Sequence, residues 1–395
     1  MNTLLSKQIL ALADSRGTAL DRLILADSKD MRQITKGPGQ DILILDDPTG
    51  ALTLESLALV LARGGRVLSR QRSYDLALEL FHTAHTLGEE ASARLLIAGL
   101  DNKGEIDPGT FGLTNFLVAH SFQGNLALGH LPKSHSALAD TSYDFSTYQQ
   151  AKGAGATLLV GGNTKHMVHT FNETLGQSFA SVRGLRGKGK HRCLLATEPK
   201  PQGSPPKLAG ALAAFGGVFS GGKPDAGGQL LARAFLSDLA SSDNELVNKR
   251  PLTLLDLGCG NGSVSLDILG SLPVGCRVSA LYATDLDLDA IRSARVNLTK
   301  NPAVQVSWDD AASRLPDASV DAVLLNPPFH LGTAVDLTLI GPLLRAAYRV
   351  LAPGGRLYLV HNSHARYRQQ VEELFINTRQ LERTPTFTVL SASKK

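Results

Sequence analysis

Leu252-Thr253-Leu254-Leu255-Asp256-Leu257-Gly258-Cys259-Gly260-Asn261-Gly262 is the stretch on which the fold turns. A short apolar run ends in glycines at alternate positions, and a helical pattern from Val264 to Leu269 follows. Glycines at a strand-to-helix turn let the backbone approach a ligand where a Cβ would clash. Downstream the alternation continues. A strand from Val278 to Thr284 ends at Asp285, a helix covers Leu288 to Leu298, and a strand from Val304 to Trp308 ends at Asp309-Asp310. The run Val320 to Leu325 ends in Asn326-Pro327-Pro328-Phe329. A helix from Asp336 to Val350 then leads through Pro353-Gly354-Gly355 into a strand from Arg356 to Val360. Strands that are apolar on both faces and alternate with helices predict an α/β fold with a doubly wound, mostly parallel sheet. Upstream, Ala209 to Phe219 reads as a strand before a tight turn, and Gln229 to Leu239 as a helix. Glu198 to Pro206 reads as a Pro/Gly-rich linker.

The chain has 395 residues, beyond the roughly 250–300 that one core sustains, so two domains are expected, 1–200 and 201–395. The first half repeats the outline of the second faintly. Asp46 aligns with Asp256, Leu131 with Asn326 and Asn163 with Asn362, which suggests a duplication. The chemistry is not copied, since Asp46-Asp47-Pro48-Thr49-Gly50 replaces the glycine turn and Leu131-Pro132-Lys133-Ser134 replaces Asn326-Pro327-Pro328-Phe329. Hydrophobic residues make up 43%, which excludes a disordered chain, and no run of about 18 apolar residues offers a membrane span. The N-terminus does not read as a signal peptide. Cys193, Cys259 and Cys276 have neither disulfide nor zinc spacing. A cytoplasmic protein without metal, membrane or obligate protein partner is expected. Net charge is +4, and Arg183, Arg186, Lys188, Lys190 and Arg192 form a run without acids, either a solvated loop or a phosphate-contacting patch.

The turn is D-x-G-x-G-x-G, not the G-x-G-x-x-G of dinucleotide sites. A carboxylate at Asp256 would repel a pyrophosphate and suits the amino group and sulfonium of S-adenosylmethionine. Gly258, Gly260 and Asn261 complete that turn. Asp285, at the next strand end, suits the ribose hydroxyls, while Asp287 reads as a helix cap. One of Asp309 and Asp310 suits the adenine amine, with Trp308 or Leu286 packing on the ring. Asn326 borders the cofactor and begins the most specific signal. An exocyclic base amine is a poor nucleophile because its lone pair is delocalised into the ring. The Asn326 carbonyl and an adjacent backbone carbonyl can accept both amine hydrogens. Pro327 and Pro328 remove donors and fix φ, and Phe329 offers a face for a flipped base. Phe215 and Phe219 are expected in the core, and His361 and His364 at the surface or behind the site.

Asp256-x-Gly258-x-Gly260, Asp285 and Asn326-Pro327-Pro328-Phe329-His330 resemble the motifs of class I S-adenosylmethionine-dependent methyltransferases. With Gly217-Val218-Phe219-Ser220 ahead of them, the chain resembles the ribosomal RNA guanine-N2 methyltransferases. The likeness is strong from about Gly216 and weak before it. Leu131 to Ser134 and Leu45 to Leu52 look like the large-subunit branch. The resemblance implies two tandem Rossmann-like domains, the first degenerate and the second catalytic, with ribosomal RNA as partner. The first, of fold-sized length without a site and with the basic run Arg183 to Arg192 at its end, is expected to position RNA. Two other readings remain open. One is adenine-N6 or protein-glutamine methylation on the same fold. The other is a non-catalytic RNA-binding or ribosome assembly factor.

Overall fold

The computed structural model describes residues 3–34, 40–200, 210–241, 246, 251–327, 340–365 and 367–395. Contacts divide the chain into two compact units, Met1–Lys207 with Phe215–Gly217 and Leu208–Ala214 with Val218–Lys395. The first holds strands β1 (Ile42–Leu45), β2 (Val67–Arg70), β3 (Leu95–Ile97), β4 (Leu126–His130), β5 (Thr157–Asn163), β6 (Phe179–Gly184) and β7 (His191–Pro199). The second holds β8 (Leu252–Leu257), β9 (Val278–Asp285), β10 (Val304–Trp308), β11 (Val320–Leu325), β12 (Leu351–Asn362), β13 (Ile376–Arg383) and β14 (Phe387–Ser393). The sheet orders are β3-β2-β1-β4-β5-β7-β6 and β10-β9-β8-β11-β12-β14-β13, the same topology twice. In each sheet six strands run the same way, and only β7 or β14, antiparallel to both of its neighbours, runs against them. The two tandem doubly wound sheets expected from the sequence are present.

The central strands β1 and β11 are buried along their whole length, because helices cover both faces. In the second unit, Leu255, Leu257, Val323, Leu325, Leu357 and Leu359 face the helix Ile340–Val350, which offers Ile340, Leu344, Ala347 and Val350 at helical spacing. On the opposite face lies the helix Ala226–Leu239. Its Phe235 meets Tyr358 edge-on at 4.8 Å, and its Asp238 accepts from the Tyr358 hydroxyl at 2.7 Å.

Strand order reverses between β8 and β11, which run side by side with Leu257 opposite Leu325. Open α/β sheets bind ligands in the crevice at that reversal, beyond the carboxyl ends of the strands. The same register places Thr284 beside Leu257 and Asp285 beside Trp308. Asp285 therefore ends one strand, and Gly258 and Asn326 follow the ends of the next two strands across the sheet.

Several sequence expectations need correction. Residues 210–220 form turns and bends instead of a strand, with positive φ at Gly210, Gly216 and Ser220. Glu198 and Pro199 end β7, and of the expected linker 201–206 lies outside the described residues. The helix expected from Gln229 begins at Ala226, and β12 extends to both sides of the expected Arg356–Val360. The duplication also has a different register. Leu45 and Leu257 both end a strand before a five-residue turn, 46–50 and 258–262. The sheet pairings then make His130 the counterpart of Asn326, and Val160 that of Leu359. Asp46 thus matches Gly258 and not Asp256, while the match of Asn163 with Asn362 stands.

Candidate functional site

The glycine turn has room above it. Gly258 and Gly260 have φ of 79° and 55°, and a Cβ built on either meets no atom within 4 Å. Side chains rarely adopt such backbone, and here the space they would fill is open. The Gly260 N–H donates to Asp285 Oδ2 at 2.9 Å, and Asp285 Oδ1 accepts from the Asp287 N–H at 2.9 Å. Asp285 keeps part of its surface in solvent. Asp256 is buried under the turn and accepts from Ser265 Oγ at 2.6 Å. Burial pushes both carboxyls up to about 6, and neighbouring acids add to the rise at Asp285. A turn with open space over Gly258 and Gly260, flanked by two carboxyls, suits a cationic nucleoside such as S-adenosylmethionine.

Asn261 is buried and faces away from solvent. Its Nδ2 donates to the carbonyl of Gly221 at 2.8 Å and lies 3.3 Å from that of Lys223, so it ties the 221–223 loop to the turn. Asn297 extends the tie, donating to the Asn261 carbonyl at 2.8 Å and to that of Ala213 at 2.9 Å. Near this loop Phe219 stands 66% exposed, contrary to its expected place in the core. With no strand through 210–220, nothing turns its side chain inward.

Asp309 is 1% exposed and committed to Ser313 Oγ and the Arg314 N–H, whereas Asp310 is exposed. Trp308 is wholly buried and donates to the Leu286 carbonyl at 2.8 Å, while Leu286 is 38% exposed. Of the two side chains considered for packing on an adenine, only Leu286 has a surface to offer. Asp287 caps the helix Leu288–Leu298, as expected. His361 is not at the surface. It is 5% exposed, its pKa is lowered by burial, and it packs against Tyr367 with ring centres 5.5 Å apart.

Asn326 donates from Nδ2 to Asp225 Oδ2 at 2.9 Å, and its buried Oδ1 has no partner among the described residues. Pro327 follows it, buried, while Pro328, Phe329 and His330 lie outside the described residues. Asp225 escaped the sequence reading. An Asp immediately before a helical pattern is an N-cap signal, and Asp225 directly precedes Ala226. Gly227 and Gly228 hid it by breaking the pattern and moving the apparent helix start to Gln229.

The corresponding place in the first unit is filled. Asp46 occupies the position of Gly258 and pairs with the wholly buried Arg70 at 3.2 Å. Asp47 is buried as well, and its Oδ2 accepts from the Thr53 N–H and hydroxyl at 2.8 and 2.9 Å. His130, the Asn326 counterpart, meets Asp21 Oδ1 at 2.6 Å. Burial opposes ionisation of Asp21, but the hydrogen bonds from His130 and Thr18 outweigh it and hold the carboxyl at about 2. Among the described residues, Asp21, Asp47 and His130 bring ligand-type atoms within 4.8 Å of one another. The hydrogen bonds from Thr18, Thr49, Thr53 and His130 already engage both carboxylates, so the cluster reads as a closed network.

Comparison with known proteins finds methyltransferases. Residues 210–391 match the family described as Methyltransferase small domain. Ribosomal RNA large subunit methyltransferase G of Shewanella amazonensis is 30% identical over 285 residues, covering 69% of this chain and 70% of that protein. Its namesake from Magnetococcus marinus is 29% identical over 251 residues, covering 61% and 64%. In structure, the T. thermophilus 16S rRNA N2 G1207 methyltransferase, solved with AdoMet and guanosine, matches with a TM-score of 0.60 at 22% identity. That match covers 93% of this chain and 91% of that one. At this identity the likeness concerns the fold.

Proposed function

Because the chain belongs to the family of ribosomal RNA large subunit methyltransferase G, we propose that it transfers a methyl group from S-adenosylmethionine to the exocyclic N2 amine of a guanine in large-subunit ribosomal RNA. The observation that carries the reading is Asn326, whose buried Oδ1 has no partner among the described residues and stands beside an open glycine turn at the sheet's reversal point. S-adenosylmethionine supplies an activated methyl group on a sulfonium. Asp285 accepts from the ribose hydroxyls, Leu286 packs on the adenine, and exposed Asp310 accepts from its amine. Gly258 and Gly260 leave the floor open, Asp256 and Asp285 offset the positive charge, and Asn261 holds the neighbouring loop in place.

Asn326 Oδ1 and a neighbouring backbone carbonyl accept the two hydrogens of the guanine amine. That draws its nitrogen toward tetrahedral geometry and localises the lone pair. The localised lone pair would then be available to take the methyl group that the sulfonium supplies. The cationic amine loses a proton to solvent. Phe329 stacks on the extruded base. The first unit positions RNA without catalysing. Arg183, Arg186, Lys188, Lys190 and Arg192 are all exposed on or beside the β6–β7 turn, and phosphate contacts from such a hairpin add affinity without reading sequence.

The test is methyl transfer to protein-free rRNA and to assembled subunits, followed by mass spectrometry of the nucleosides. N2-methylguanosine in the large-subunit RNA is expected. N6-methyladenosine, a methylated protein, or no transfer despite cofactor binding would each refute the proposal.

A further inference from the structure

Asn326 is held from outside its own strand. Asp225 Oδ2 accepts from Asn326 Nδ2 at 2.9 Å, and the same oxygen accepts from the Gly228 N–H at 2.8 Å, capping the helix Ala226–Leu239. A carboxylate only accepts, so this contact decides which way the amide faces: the NH2 toward Asp225 and Oδ1 away from it. Gly227 and Gly228 allow the close approach. A Cβ on Gly227 would stand 3.0 Å from Asp225 Oδ2 and 3.5 Å from Asn326 Oδ1. One on Gly228 would stand 2.8 Å from Val264 Cγ2. Two glycines in a first turn weaken a helix, and room for the Asp225–Asn326 pair is what they provide in return.

We propose that Asp225 is a positioning residue for methyl transfer. It fixes the Asn326 amide with Oδ1 toward the target amine. By drawing on the N–H it also shifts amide electron density onto Oδ1, which strengthens that oxygen as an acceptor while the amine becomes cationic. The inference rests on the reading of Asn326 given above. The first unit supports the orienting part. There Asp21, in the first turn of the helix Ala19–Asp27, holds His130 at the matching strand end. The link is thus a feature of the duplicated fold, and only the second copy ends it in an amide.

Two variants separate orientation from capping. Asp225→Ser keeps an N-cap oxygen for the helix but is too short to hold Asn326. Asp225→Asn keeps an oxygen for both bonds and loses the charge. In single-turnover methyl transfer to rRNA at saturating cofactor, Asp225→Ser is expected to fall about 10–100-fold and Asp225→Asn about 3–10-fold, the range of one charge-assisted hydrogen bond. Melting temperature, RNA affinity and cofactor affinity should stay close to wild type. Because Asp225 acts through Asn326, adding Asp225→Ser to Asn326→Ala should cost nothing further. Four results would overturn the inference alone: a normal rate in Asp225→Ser beside a crippled Asn326→Ala, a further loss in the double variant, no recovery in Asp225→Asn, or a rate loss matched by a fall in melting temperature. A normal rate in Asn326→Ala would overturn the site reading and this inference together.

Discussion

At the scale of single residues, Asn326 makes its contact when the amine turns tetrahedral and cationic, and an interaction made only there lowers the barrier without tightening binding. Asn326→Ala should lower kcat about 10²–10³-fold, as loss of one preorganised polar contact does, while RNA affinity measured by filter binding barely changes. Asp256 and Asp285 lead to a second prediction. Both carboxyls are raised from the usual carboxylate range to about 6. In the ligand-free protein their ionisation is unfavourable, so they subtract stability as pH rises from about 4 to 6 and no more above that. A cationic cofactor prefers them ionised and releases protons on binding. Cofactor affinity by calorimetry should strengthen as pH rises through 6 and level off near 7, with buffer-dependent heats at pH 6. An affinity flat from pH 5 to 8 would separate these acids from the cofactor.

At the scale of elements, the hairpin between β6 and β7 carries Arg186, Lys188 and Lys190 on its turn, all exposed. Neutralising the three should weaken RNA binding and reduce the slope of log affinity against log salt by roughly 2–3, close to one per phosphate contact. Cofactor affinity should not change. The elements also show where sequence carries structure. The run Leu252 to Leu257 with its turn is legible because apolar burial on both faces and glycine punctuation act within a dozen residues. β13 is not. It is an edge strand whose Ile376-Asn377-Thr378-Arg379-Gln380-Leu381-Glu382-Arg383 is mostly exposed, so no apolar alternation marks it. Asn326, Asp285 and the glycines could be named from their places after strands. Asp225 could not be paired with Asn326, because only the folded sheet brings together residues 101 apart in sequence. Asp309 and Asp310 are indistinguishable in sequence, and burial separates them.

At the scale of the whole molecule, duplication has left two sheets of one topology and one open turn. One cofactor per chain is expected in a titration, and a stoichiometry of two would show that the first unit also has a working site. No helix among the described residues is long and apolar enough to cross a membrane. The Asp46–Arg70 pair has one further consequence. It behaves as a ligand tethered in place, at an effective concentration that no metabolite level alters. The second unit has only the diffusible one, and gains stability as RT ln(1 + [L]/Kd), about 2.7 kcal/mol at a hundredfold excess over Kd. Removing cofactor should therefore quicken amide hydrogen exchange in β8, β9 and β11 and leave β1, β2 and β4 as slow as before.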